Sequence, residues 1–361
     1  MKVHSSQVVI GCIITHDVMG STKRPLIPKN TVVQSIHMKV LNQFKVGVVE
    51  VASKLSDGSP FIPEEKIDEP EQEKQDEKAP ISFQDQYLDA VRSYKKWFED
   101  WRGGAPVDTA AVRKVMVPLL ERAVKLKRDV FLLHHYSSKK EYFYHHSVAV
   151  SLIAGYLASR LQYGYGDWMQ VGLAGVFADS GMAKIDSKIM SKTDTLNEHE
   201  FEQIKTHPTH SYRLVEKIPS LTANAKVAVL QHHERLDGSG YPLGLKHEKL
   251  HIFSQIIAVS DMYHAMTSER AYRKKHSPFR VIEEMQKEQF GRFNPTVVSA
   301  FVKEMTNFSQ GTRVRLSNNK LADIVFVESA YPTRPLVKLE EDQEIYSLRD
   351  HPDLHIEEVL D

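Results

Sequence analysis

From residue 83 to about residue 308, apolar side chains return at spacings of three and four, and this rhythm limits what the chain can become more than any other feature. FQDQYLDAVRSYKKWFEDW and DTAAVRKVMVPLLERAVKLKRDVFLL each lay an apolar stripe along one helix face, with Asp108 placed to cap the second. Further helices are expected at HHSVAVSLIAGYLASRL, WMQVGLAGVFAD, EHEFEQIKTH, NAKVAVLQHHE, FSQIIAVSDMYHAMTS, PFRVIEEMQKEQF and PTVVSAFVKEM. The strand signal is weak throughout, so the segment reads as an all-helical domain of about ten helices.

The flanks have a different texture. Residues 1–55 read as a small mixed α/β domain: VVIGCII (8–14) as a buried strand, QSIHMKVLNQF as a short helix and VGVVEV as a returning strand. Residues 56–82 are rich in Pro, Glu, Asp and Lys and too poor in apolar groups to offset ordering entropy, which predicts an acidic, flexible linker. In residues 309–361, TRVRLS, ADIVFVES and PLVKL cluster β-branched residues, with a hairpin turn expected near Asn318 and Asn319. The expected fold class is mainly α, with a small α/β domain before the helices and a small β appendage after them.

Charge and cysteine content narrow the function. Lys plus Arg (47) balances Asp plus Glu (47), so no global field draws the chain onto DNA or an anionic membrane. An anionic ligand needs a local cluster. The single cysteine, Cys12, excludes an internal disulfide and a Cys-rich zinc site and fits a reducing cytoplasm. VVIGCII is far short of the ~20 residues that span a bilayer and lacks the flanks of a signal peptide, so a cytoplasmic protein without a membrane span is expected.

The 18 histidines fall in groups. Tyr142 to Ser147 (YFYHHS) opens an apolar helix, Phe177 to Met182 (FADSGM) closes one, and HPTH (207–210) and HHERLDGSGYP (232–242) follow. Asp261 sits inside VSDMYHAM. Asp179 and Asp261 are embedded in apolar surroundings, where an unpaired charge is costly and a cation would compensate it. Imidazoles mixed with carboxylates suit Fe, Mn or Zn better than Ca or Mg. His232 and His233 diverge by ~100° within a helix but can converge at its end.

HHERLDGSGYP resembles the signature of HD-GYP domains, a branch of the HD hydrolase superfamily, and the likeness extends over most of residues 130–275. The resemblance implies a bacterial signalling fold that hydrolyses cyclic di-GMP at a centre of two or three metal ions, of which one or two divalent transition metals (Fe, Mn or Zn) are expected here. Carried over residue by residue, the metal ligands are His146, Asp179, His207, His232, His233 and Asp261, with Asp179 bridging. Tyr241 is the family's GYP tyrosine, and Gly238 and Gly240 give its loop backbone freedom. Arg270 and Arg273 match the family's Arg-containing segment and are expected to hold ligand phosphates. Residues 1–55 also resemble a small domain found before such domains.

Three positions depart from the pattern. The family's His-Asp-x-Gly-Lys reads Ala178-Asp179-Ser180-Gly181-Met182 here, so one metal loses a ligand and a Lys partner of the phosphate is gone. Tyr142 stands where the family places an optional acid, which leaves a third metal unsupported. The expectation is one tight ion and one exchangeable ion, with reduced hydrolysis; His145 or His210 are neighbours able to compensate. Three readings stay open: a slow cyclic di-GMP phosphodiesterase giving pGpG and GMP, a binding module that senses cyclic di-GMP or docks a protein partner through the GYP loop or the N-terminal domain, and a hydrolase of another nucleotide.

Overall fold

In the computed structural model, residues 1–20, 25–64, 67, 81–126, 129–269, 275–308 and 310–360 are described. The chain opens with β1 (Lys2–His4), β2 (Val18–Met19), β3 (Pro25–Ile27), α1 (Ser35–Gln43) and β4 (Val48–Glu50). β1 pairs with β4 and β2 with β3, both antiparallel. The expected strand at residues 8–14 does not form. Gly11 adopts φ 98°, and the Cys12 N–H donates back to the Val9 carbonyl, a turn that breaks the pleat. Only Ile13 and Ile14 bridge, to Val32 and Val51, while Ile10 is 65% exposed.

The expected linker also begins too early. Lys54 bridges Pro60, and Phe61 packs into the same core as Val3, Ile14, Ile27 and Leu41. Residues 56–61 therefore belong to the N-terminal unit; one buried aromatic anchors a segment whose composition reads as solvated. Most of the charged stretch beyond them lies outside the described residues.

Among the described residues eleven α-helices follow: α2 (Phe83–Arg102), α3 (Thr109–Ala123), α4 (Tyr142–Arg160), α5 (Tyr165–Phe177), α6 (Ser187–Met190), α7 (Glu198–Ile204), α8 (His207–Val215), α9 (Ala223–Gln231), α10 (Ile252–Thr267), α11 (Pro278–Arg292) and α12 (Pro295–Met305). Side-chain caps start several of them: Ser82, Asp108, Thr222, Ser277 and Asn294 each accept a backbone N–H of the first turn. α4 is buried on every side from His145 to Ala158, which makes it the axis of the domain. α5 lies tight against it; a Cβ on Gly175 would sit 2.9 Å from the Ser151 Cα. No described helix is long and apolar enough to cross a membrane.

β5 (Arg313–Leu316), β6 (Leu321–Phe326), β7 (Leu336–Leu339), β8 (Ile345–Ser347) and β9 (Ile356–Val359) form an antiparallel sheet in the order β8-β7-β6-β5-β9. Asn319, at φ 66°, makes the β5–β6 turn as expected. The sheet has its own core of Val314, Leu316, Ile324 and Val337, joined by Phe279 of α11.

Candidate metal centre

Four helix ends and one helix interior deliver the site. His146 comes from the second turn of α4, and Asp179 from the turn that follows α5. His207 begins α8, and His232 ends α9 with His233 next to it. Asp261 lies within α10. The turn after α5 is tied to α8 through Ser211, whose hydroxyl donates to the Ala178 carbonyl at 2.6 Å and accepts the Gly181 N–H at 2.7 Å. That contact leaves no room for a side chain on Gly181: a Cβ there would lie 2.1 Å from the His207 carbonyl.

All six expected ligands converge in two groups that share Asp179. Donor atoms of Asp179, His207, His232 and His233 lie within 4.8 Å of one another, and so do those of His146, Asp179 and Asp261. His207 Nε2 is 3.0 Å from Asp179 Oδ1, and His146 Nε2 is 3.4 Å from Asp179 Oδ2 and 2.9 Å from Asp261 Oδ1. His233 Nδ1 is 3.6 Å from Asp261 Oδ2.

The protonation pattern suits a cation. His207 Nδ1 contacts the Ile204 carbonyl and His232 Nδ1 the Val229 carbonyl, both at 2.7 Å. A carbonyl only accepts, so both Nδ1 atoms carry the proton. With Nδ1 of each ring engaged by a carbonyl, the two Nε2 atoms face each other at 3.2 Å and lie 3.0 and 3.6 Å from Asp179 Oδ1, a cradle that a shared proton or a cation would fill. Burial pushes His233 well below the usual imidazole range, with the neighbouring His232 reinforcing it, which leaves a lone pair free for ligation. Burial would raise Asp179, yet hydrogen bonds from His146, His207 and His232 hold it well below the usual carboxylate range. Asp261 is held low in the same way, chiefly by His146. Desolvation pulls His146 down, but Asp179 and Asp261 lift it above its ordinary value.

The GYP loop stands beside the cluster. Tyr241 packs on His233 with ring centroids 4.8 Å apart and touches His207 at 6.3 Å. Gly238 sits at φ 84°. At Gly240 a Cβ would fall 2.4 Å from the Arg235 nitrogen, so only glycine fits. Arg270 and Arg273, expected to hold phosphates, lie outside the described residues.

The gaps are equally plain. Ala178 is buried at the end of α5 with no donor in its side chain, and Met182 packs on the helical core. Lys184, two residues on, donates to the Trp101 carbonyl at 2.7 Å and does not replace the missing ammonium. Neither His145 nor His210 joins either ligand group among the described residues. His145 is buried against Tyr87 Oη (2.9 Å) and the Ser56 carbonyl (2.7 Å).

Two residues, Glu234 and His264, were not singled out from sequence, and Tyr142 was read there only as the place of a missing acid. Glu234 is buried and accepts the Leu243 and Leu245 N–H groups at 2.7 and 3.0 Å, which holds the GYP loop closed. The Tyr142 hydroxyl lies 3.2 Å from His146 Nδ1, and His264 Nδ1 lies 3.1 Å from the same atom. A signal for His264 was available: it follows Asp261 by three residues, hence shares its helix face.

Comparison with known proteins agrees with this geometry. Residues 133–297 match the HD domain family model. A cyclic di-GMP phosphodiesterase of Pseudomonas aeruginosa is 31% identical over 242 residues, covering 67% of this chain and 58% of its own. A cyclic di-GMP phosphodiesterase of Thermotoga maritima is 33% identical over 44% of this chain and 43% of its own, and a 3'3'-cGAMP-specific phosphodiesterase of Vibrio cholerae is 31% identical over 48% and 40%. The chain thus spans about half the length of the curated relatives it matches. The solved HDG"Y"P protein Bd1817 of Bdellovibrio bacteriovorus shares the fold, with a TM-score of 0.50 at 11% identity over 83% of this chain and 97% of its own. Residues 133–297 are therefore an HD domain.

Proposed function

We propose that this chain is a metal-dependent phosphodiesterase that opens a cyclic dinucleotide, cyclic di-GMP foremost, to pGpG and GMP at a reduced rate. The observation that carries the reading is the convergence of six imidazole and carboxylate donors in two groups that share Asp179, with His207 and His232 facing each other Nε2 to Nε2 at 3.2 Å. His207, His232, His233 and Asp179 would hold one ion tightly; His146, Asp261 and the other oxygen of Asp179 would hold a second, exchangeable one. Fe, Mn or Zn fits this donor set. Bound ions of this kind supply a nucleophile from water at neutral pH and neutralise the phosphodiester oxygens. The protein's part is to keep the imidazoles neutral and oriented and to place Tyr241 against the cleft, with Arg270 and Arg273 as phosphate partners. The single cysteine, buried and unpaired, supports a cytoplasmic setting.

Ala178 and Met182 favour a second reading, a module that binds cyclic di-GMP without cleaving it and signals to a protein through the GYP loop or the N-terminal unit. Three apolar cores support the proposed division into an N-terminal unit, the helical domain and a β-rich unit from about residue 309, although Ile13, Val32 and Ala52 of the first pack into the helical core and Phe279 into the third. Chromatography of cyclic di-GMP incubated with the protein and Mn or Fe separates the two readings. Slow formation of pGpG and GMP is expected, with a faster rate in the Ala178→His, Met182→Lys variant. Binding without products in both proteins would establish the sensor; equal rates would show that the two lost residues are immaterial.

A further inference from the structure

His207 and His232 fix their tautomers with backbone carbonyls three residues back. His146 does not. Its Nδ1 faces two side chains instead: the Tyr142 hydroxyl at 3.2 Å and His264 Nδ1 at 3.1 Å. His264 is wholly buried on α10, one turn beyond Asp261 and on the same face. Its ring lies 5.2 Å from that of His146 and 6.3 Å from that of Tyr142, so three rings from two helices form one cluster.

The proton count in this cluster is constrained. His146 Nε2 points at Asp179 and Asp261, so a cation held by those carboxylates takes the Nε2 lone pair. The remaining proton of a neutral His146 then sits on Nδ1 and needs an acceptor. His264 Nδ1, at 3.1 Å, is placed to accept it beside the Tyr142 hydroxyl at 3.2 Å, with the proton of His264 then on Nε2; the Ser268 hydroxyl lies 3.4 Å from Nδ1 and 3.5 Å from Nε2. We infer that His264 is the positioning residue of His146, holding the ring in the tautomer and orientation that the three-residue ligand group requires. It acts through His146 and belongs to neither ligand group among the described residues. This matters more here than at a complete site, because a group that lacks the histidine at position 178 depends more heavily on the donors it keeps. The inference rests on the metal-centre reading above.

The test is ion binding rather than turnover. Cobalt(II) titration followed by visible absorption, with ion counts by mass spectrometry, is run on wild type, His264→Leu and His264→Asn. Leu removes the acceptor while keeping an apolar filler; Asn puts an amide oxygen about where Nδ1 sits. In His264→Leu the tight ion is expected to persist while affinity for the second falls about 10- to 100-fold, the usual effect of losing a ligand's hydrogen-bond partner. His264→Asn is expected to recover most of that loss. Unchanged second-ion affinity in His264→Leu rejects the inference, and so does equal loss of both ions in Leu and Asn, which marks a structural residue. If Leu does not fold, Asn alone decides, since a folded Asn protein with no second ion also rejects it. Wild type that takes up no ion sinks the metal centre itself and the inference with it, a result distinct from all the others.

Discussion

At the scale of single residues, burial sets the acid response. His145 is next to His146 but serves the fold: its ring joins Tyr87 of α2 to the Ser56 carbonyl of the N-terminal unit. Burial holds its imidazole down at about 4, whereas an unfolded histidine titrates near ~6.5. The unfolded chain therefore takes the proton first. Stability from this residue is full above about pH 6.5 and drains as pH falls toward 4, by on the order of 3 kcal/mol. His145→Gln keeps an amide donor for Ser56 and does not titrate. In urea unfolding, the variant is expected to be about 1 kcal/mol less stable than wild type at pH 7, to close that gap at about pH 6 and to be the more stable protein by about 1–2 kcal/mol at pH 4.5. A gap that does not change with pH would remove His145 from the account. The site residues themselves were legible in sequence because charge in apolar helices is expensive. Glu234 and His264 were not, because their partners are distant N–H groups and a ring on another helix.

At the scale of elements, the centre depends on how closely the turn after α5 meets α8. Gly181 is the point of contact, and Ser211 stitches the two together. Gly181→Ala is expected to push α8 away, carrying His207 with it, at a cost of about 1–3 kcal/mol. Ion counts should fall along with the urea midpoint; an unchanged ion count would show that this contact does not set the ligand geometry. Helix positions followed from apolar spacing and capping residues, as Asp108 illustrates with its bond from the Ala111 N–H. The strand expected at residues 8–14 failed because β-branched composition does not reveal that Gly11 turns the chain.

At the scale of the molecule, the C-terminal sheet is fastened to the helical domain by Arg334. Its guanidinium spans Glu283 of α11 at 2.5 and 2.6 Å, and it also donates to the Leu354 carbonyl. Both side chains are under one-fifth exposed. Arg334→Leu leaves Glu283 without its partner and is expected to cost about 2 kcal/mol, below the 3–5 of a fully buried pair because some water still reaches both. Hydrogen exchange should quicken in β7 and β9 with ion content unchanged; loss of ions would mean the sheet supports the centre. By itself the sequence determined a helical domain, its capped helices and the six residues able to hold cations, because periodicity and the cost of buried charge are properties of the chain. Which nitrogen of each histidine faces inward, that Asp179 is shared by two groups, and that His264 stands behind His146 were decided only by the packing of α4, α8, α9 and α10, since orientation is fixed by neighbours far apart in the chain.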